Sequence, residues 1–206
     1  MTNAFYMDTA LLPDPREGGL FSGLPGARLE KAVRLFSSEK RKESAGAGLL
    51  LARILPRFLA DAEEVFADER GKLLHPRLFL SLAHGGGMAL LAVGDRPVGC
   101  DVEKLSRVRE GVLKHFSKEE RAFVQEAAGE RTREEAFFRI WTGKESYLKM
   151  TGEGLSAWKE VRVLPEGRIV RAEKEQPCRI VWKEAGEHLL ALCHEEEAAA
   201  WEEVLF

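Results

Sequence analysis

The sequence predicts an α+β protein of two subdomains that meet near residue 100, each an antiparallel sheet packed with helices. Three observations carry the prediction. Apolar residues recur at helical spacing between about residues 27 and 60, and the period changes to strand-like alternation after Gly71. Beyond Ser117 the chain repeats that order, helices first and short apolar runs second. A chain of 206 residues is long enough for one large core or two smaller ones of about 100 residues each. No sequence repeat relates the halves.

Residues 4–7 read as a first strand, and the Pro/Gly-rich stretch 13–26 as loop. Leu29, Ala32, Val33 and Phe36 place an apolar stripe on a helix over 27–36. A second helix spans 38–60, with Ser38 as N-cap, Gly46 and Gly48 marking close packing, and an acidic loop at its end. Runs 78–83 and 88–93 flank Gly85-Gly86-Gly87 as a hairpin. Gly94-Asp95 then turns the chain into a third strand, so a three-stranded antiparallel meander is expected over 78–104. Ser117-Lys118-Glu119-Glu120 is a capping box that opens a helix to about 128. A longer helix runs over 132–150, stopped by Gly152 and Gly154. Runs 161–163, 168–171, 179–182, 189–193 and 199–205 are expected to form a second antiparallel sheet.

Thirty-one basic against thirty-four acidic residues leave a net charge of −3, so no global field draws in nucleic acid or an anionic membrane. Any polyanion site must be local. Cys100, Cys178 and Cys193 are odd in number, sit in apolar runs and lack CxxC spacing, and are expected as reduced core residues. With no basic, apolar leader and no apolar run of membrane-spanning length, the protein is expected in the cytoplasm, bound to neither nucleic acid nor membrane.

The informative residues are carboxylates. In Pro97-Val98-Gly99-Cys100-Asp101-Val102-Glu103-Lys104, strand alternation turns Val98, Cys100 and Val102 toward a core. Gly99, Asp101 and Glu103 then share the other face, a small bare patch with two hard oxygen ligands. Alone, the pair reads equally well as solvated charge on an edge strand. In the long helix Trp141, Glu145 and Lys149 stand at i, i+4 and i+8 on one face. Alone, Glu145 and Lys149 read as an exposed ion pair worth about 0.3–0.5 kcal/mol. Together the two segments supply three carboxylates and one ammonium, a set suited to a hard divalent cation such as magnesium with substrate phosphates in its shell.

Gly99-Cys100-Asp101-Val102-Glu103, followed by Trp141-Thr142-Gly143-Lys144-Glu145-Ser146-Tyr147-Leu148-Lys149, resembles the paired signature of the 4′-phosphopantetheinyl transferases, G-x-D-x-E with W-x-x-K-E-[SA]-x-x-K. Pro97-Val98-Gly99, Leu82-Ala83-His84, Gly71-Lys72 and Arg28-Leu29-Glu30-Lys31 also fall in the family's order, and the chain length resembles the Sfp-type branch. The resemblance implies a monomer folded as a pseudo-dimer of two similar α+β subdomains, 1–98 and 99–206, with coenzyme A in the cleft between them. It implies Asp101, Glu103 and Glu145 as magnesium ligands and Lys149 as a phosphate contact. His84 would lie near the 3′-phosphate, with Arg28, Lys31 and Lys72 around the nucleotide end. Two positions depart from the family pattern. Ala83 stands where a serine is common, leaving the amides of Gly85 and Gly86 as substitutes. The usual arginine at the start of the second helix falls on Glu43 or Ser44, leaving Arg41 or Lys42 as stand-ins.

The implied activity is magnesium-dependent transfer of the phosphopantetheine arm of coenzyme A to a serine of an apo acyl or peptidyl carrier protein, releasing 3′,5′-ADP. This is holo-acyl-carrier-protein synthase chemistry. Glu145, directly or through a water on the metal, would take the serine proton, and Lys149 would assist in neutralising charge. Fatty-acid, polyketide and nonribosomal peptide carriers are all open as substrates. Segment 105–116, with Arg107, Arg109, Val112, Leu113 and Phe116, is a candidate carrier surface unless its apolar members pack inward. Two rivals stand beside this reading: a non-catalytic coenzyme A or carrier-binding module, and a magnesium-dependent hydrolase of a pyrophosphate bond.

Overall fold

The computed structural model describes residues 1–24, 26–59, 65–69 and 71–205. In chain order the elements are β1 (Thr2–Asp8), α1 (Gly26–Val33), α2 (Ser38–Ile54), β2 (Phe66–Ala67), β3 (Leu73–Leu74), β4 (Phe79–Gly85), β5 (Met88–Gly94), β6 (Val98–Lys104), α3 (Glu110–Leu113), α4 (Lys118–Gln125), α5 (Glu130–Thr151), β7 (Val161–Val163), β8 (Arg168–Arg171), β9 (Lys174–Ala185), β10 (His188–His194) and β11 (Ala199–Glu203).

Strand alternation dictates the layering. Every residue of β5 is buried, yet Ala89, Leu91 and Val93 pack under α1 and α2 while Leu90 and Ala92 face a second sheet. β10 divides likewise: Leu190 and Leu192 join the inter-sheet core, and Leu189, Ala191 and Cys193 lie beneath α5. Four layers follow: α1 and α2, a sheet of order β11-β1-β5-β4-β3-β2, a sheet of order β6-β10-β9-β8-β7, and α5. The α+β class stands, with helices on the outer face of each sheet. All three cysteines are free and buried, and among the described residues no helix is long and apolar enough to cross a membrane.

Local structure departs from expectation where partners are distant. α1 stops at Val33 and leaves Phe36 99% exposed, because Arg16 and Arg41 take the carbonyls of Val33, Leu35 and Phe36 out of the helical ladder. Ser37, not Ser38, caps α2, its hydroxyl accepting from the Lys40 amide at 3.2 Å. α2 ends at Ile54 and passes into a 3₁₀ turn over Leu55–Arg57 at Pro56, which has no amide hydrogen to extend the helix. Its expected end at Ala60 and the acidic loop beyond lie outside the described residues. The β4–β5 hairpin turns at Gly86 and Gly87, φ +62° and +91°, as a two-residue hairpin loop requires.

The expected three-stranded meander does not form. A Cβ at Gly94 would press on Val98, so the chain folds sharply there, and β6 crosses the face of the first sheet to pair with β10 instead of β5. Its outer edge is covered from the first sheet, where the Ser81 hydroxyl accepts from the Cys100 amide at 3.0 Å. Nor does 199–205 extend the second sheet. β10 already has β6 and β9 as neighbours, and β11 returns to the open edge of β1, running parallel to it from Thr2↔Ala199 to Tyr6↔Glu203. There Ala199 and Trp201 pack on the inter-sheet core.

Candidate active site

Gly99 lets the site exist. A Cβ there would overlap the Ser146 carbonyl oxygen and the Met150 amide of α5, so only glycine allows this strand and this helix to approach so closely. The approach overturns one expectation. Val98, Cys100 and Val102 do enter the inter-sheet core, but the opposite face is not a bare patch: α5 covers it, and Asp101 is only 7% exposed. Lys149 Nζ donates to Asp101 Oδ1 at 2.6 Å. Asp101 Oδ2 is buried and has no hydrogen-bond partner, a costly state for a carboxylate oxygen.

Glu103, next but one along β6, is held on both oxygens. Trp141 Nε1 donates to Oε1 at 2.9 Å, and an Arg109 guanidinium nitrogen donates to Oε2 at 3.0 Å. Glu145 has no comparable support. Burial first, then the charges of Asp101 and Glu103, raise its carboxyl to about 7 against the pull of Lys149. For Lys149, burial favours the neutral amine, but Asp101, with smaller contributions from Cys100 and Glu145, keeps it above an ordinary lysine. Glu145 and Lys149 line a cleft of about 220 Å³, with Lys72, Leu80 and Ser81 on the facing wall. Lys72 Nζ donates to the Met150 carbonyl at 2.9 Å near the end of α5, and burial lowers its pKa.

Asp101 and Glu103 stand behind Glu145 and Lys149 and, like Arg28, Lys31 and His84, are not among the residues that line this cleft. Arg28 packs on Gly48 with its Nε buried and unpaired, and burial lowers its pKa; Lys31 is exposed on α1. His84 Nδ1 lies 3.7 Å from Glu43 Oε2. Glu43 is fully buried: burial alone would raise its pKa, but His84, Lys40 and the Gly87 amide hold it at about 2. It ties α2 to the hairpin turn. Arg41 is equally committed, to Asp14 and to the carbonyls of Leu35 and Phe36. Of the two stand-in cations, only Lys42 stays near the surface, reaching the Ala10 carbonyl at 3.3 Å.

In segment 105–116 the inward reading holds for Leu113 and Phe116, which are buried, Phe116 stacking on Phe137 at 5.3 Å; Val112 packs partly on the same core. The sequence reading missed a buried ion pair. Lys144 Nζ lies 3.0 Å from Glu120 Oε2, the two side chains 1% and 2% exposed, and Glu120 Oε1 accepts from the Val163 amide at 2.8 Å. The signal was there: Lys144 falls on the apolar stripe of Phe137, Ile140 and Leu148, where an unpaired charge is untenable.

Among the described residues, no three His, Cys, Asp or Glu side chains stand ready as a metal-binding group. Lys149 engages Asp101, and Trp141 and Arg109 engage Glu103. The donor set nonetheless suits a hard cation: Asp101 Oδ2 is an unpaired buried oxygen, and Glu145 is held against its own ionisation by burial first and by the neighbouring carboxylates second.

Comparison with known proteins gives this geometry a family. The model of the 4′-phosphopantetheinyl transferase superfamily matches residues 97–202, just over half the chain, a span that holds both β6 and α5. The chain belongs to that superfamily. Within it, the protein is 31% identical over 164 residues to the 4′-phosphopantetheinyl transferase HetI of Nostoc sp. (strain PCC 7120), covering 73% of this chain and 69% of the relative. It is 25% identical over 186 residues to the 4′-phosphopantetheinyl transferase Sfp of Bacillus subtilis (strain 168), covering 85% and 83%. With the 4′-phosphopantetheinyl transferase AcpT of Salmonella typhi it shares 35% identity over 117 residues, 53% of this chain and 59% of the other.

Proposed function

We propose that this superfamily member transfers the 4′-phosphopantetheine arm of coenzyme A to a serine of an apo acyl or peptidyl carrier protein, with magnesium required and 3′,5′-ADP released. The observation that carries the reading is the unpaired oxygen of Asp101, which is bonded to Lys149, while Lys149 and Glu145 line the cleft between β4 and α5. The serine oxygen bonds to the β-phosphorus as the bond to the leaving 3′,5′-ADP breaks. Such a reaction needs positioning and charge neutralisation more than covalent help. Lys149 brings an ammonium group to the wall that would hold the pyrophosphate. Glu145, with a pKa of about 7, is poised to accept the serine proton on its carboxylate oxygen. Asp101, Glu103 and Glu145 would hold the magnesium, which when bound offsets the charge on the pyrophosphate oxygens.

In this reading halves 1–98 and 99–206 form the two walls of the cleft, with β11 returned to the first sheet. His84, Arg28, Lys31, Lys72 and Lys42 serve the nucleotide end. A cleft built within one chain supports action as a monomer, and three buried free thiols suit a reducing cytoplasm.

The test is intact-protein mass spectrometry of several apo carriers, acyl and peptidyl, incubated with coenzyme A and magnesium. An added phosphopantetheine arm on the carrier serine is expected. Free phosphopantetheine with unmodified carrier would favour the hydrolase, and coenzyme A binding without either product would favour a binding module.

A further inference from the structure

We propose that Arg109 is an internal counter-cation that competes with the divalent cation for Glu103 and so sets the metal affinity of the site. The proposal rests on the magnesium reading above. Its warrant is the contrast between the two carboxylates of β6. Asp101 gives one oxygen to Lys149 and leaves the other unpaired, whereas Glu103 has a donor on each oxygen. One of those donors, Trp141 Nε1, is neutral and sits on a regular helix, so it orients Glu103 without opposing a cation. The other is a full positive charge.

Arg109 is held where a competitor should be. Its guanidinium donates to Glu103 Oε2 at 3.0 Å and stands 5.5 Å from the Phe138 ring centre and 5.6 Å from that of Trp141. Two aromatic faces and one carboxylate thus stabilise a cation beside the acidic cluster. The residue is also free to leave: its side chain is 43% exposed, and it lies in the irregular segment between β6 and α3, where it makes no side-chain capping bond. Among the described residues, Arg109 is the cation bonded to Glu103 and Lys149 the one bonded to Asp101. Without Arg109, Glu103 would keep only the neutral Trp141 donor. A dication that takes Glu103 must therefore displace a guanidinium or bind beside it, and both oppose binding.

A purely structural staple between β6 and the start of α3 would affect stability only. The experiment reads binding of Mn²⁺, a paramagnetic probe for the magnesium site, by electron paramagnetic resonance of free Mn²⁺ at saturating coenzyme A. Arg109→Met keeps the chain length over the two rings and removes the charge; it is expected to tighten Mn²⁺ binding about threefold to tenfold at low salt, less at high salt. Arg109→Lys should stay near wild type, and the gain should vanish in a Glu103→Gln background. Unchanged or weaker Mn²⁺ binding by Arg109→Met, or a gain that survives Glu103→Gln, overturns the competition. Should Arg109→Met fold poorly, Arg109→Gln also removes the charge and takes its place. Wild-type protein that binds no Mn²⁺ would overturn the magnesium reading itself, an outcome distinct from a wild type that binds and a variant that does not tighten.

Discussion

Where β6 meets α5 the charged side chains answer one another across a strand and a helix, while beside the β4–β5 hairpin α2 uses its charges to hold the fold. Asp101 and Lys149 meet at 2.6 Å with an oxygen to spare, and Glu145 is left partly uncompensated. Around the hairpin, Glu43 is satisfied by Lys40 and the Gly87 amide, and Arg41 by Asp14 and two carbonyls. The same residue types thus serve opposite roles. A carboxylate with an unmet oxygen or a raised pKa is available to a ligand, and one whose partners are all internal is a staple.

The largest break in that contrast should come from the first region. Asp101→Ala or Glu145→Ala is expected to lower carrier modification by about 10³-fold or more at saturating magnesium while far-UV circular dichroism stays native. Near-wild-type turnover in either variant would remove these residues from the site. Lys144→Ala, by contrast, strands Glu120 in the core and should cost about 3–5 kcal/mol of stability in denaturant unfolding. Gly99→Ala drives a methyl into the α5 backbone and should cost about 1–3 kcal/mol, with activity falling further because Asp101 and Lys149 separate.

A smaller effect has a defined sign. The Glu145 pKa is about 7 in the folded protein against an ordinary glutamate value of 4.5, so between those values the folded protein binds more protons than the unfolded chain. Its stabilising contribution is complete below about pH 4.5 and is lost as pH rises through about 7. Glu145→Gln is neutral throughout, so in the absence of divalent metal it should be about 1–3 kcal/mol more stable than wild type near pH 8 and equal to it near pH 4, by thermal unfolding. Equal stability at both pH values would show that Glu145 is not held against ionisation. The smallest effect tests the other region. Lys42→Ala should raise the KM for coenzyme A about threefold to tenfold with little loss of stability, whereas Arg41→Ala should destabilise the fold; the reverse pattern would exchange their roles.

Much of the first region was legible in the sequence because its logic is local. Two residues along a strand share a face and four along a helix share a stripe, so Asp101 with Glu103, and Glu145 with Lys149, were paired before any fold was known. The capping box of Ser117 and Glu120 is equally local, and both of its reciprocal bonds form. The second role of Glu120, as the partner of Lys144, was not legible, since it depends on α4 and α5 meeting. Likewise Arg41 and Lys42 are neighbours in sequence with nothing local to separate a buried staple from a surface cation.

By itself, then, the sequence determined the α+β class and, on the strand and the long helix that bear the carboxylates, the residues that share each face, because backbone geometry sets those periods within a few residues. Tertiary structure alone decided that β6 leaves the meander for β10, that β11 returns to β1, and that α5 closes over Gly99 to bury Asp101. Those outcomes turn on which strand edges are open and which surfaces can approach, quantities that arise only when distant segments compete for the same partner.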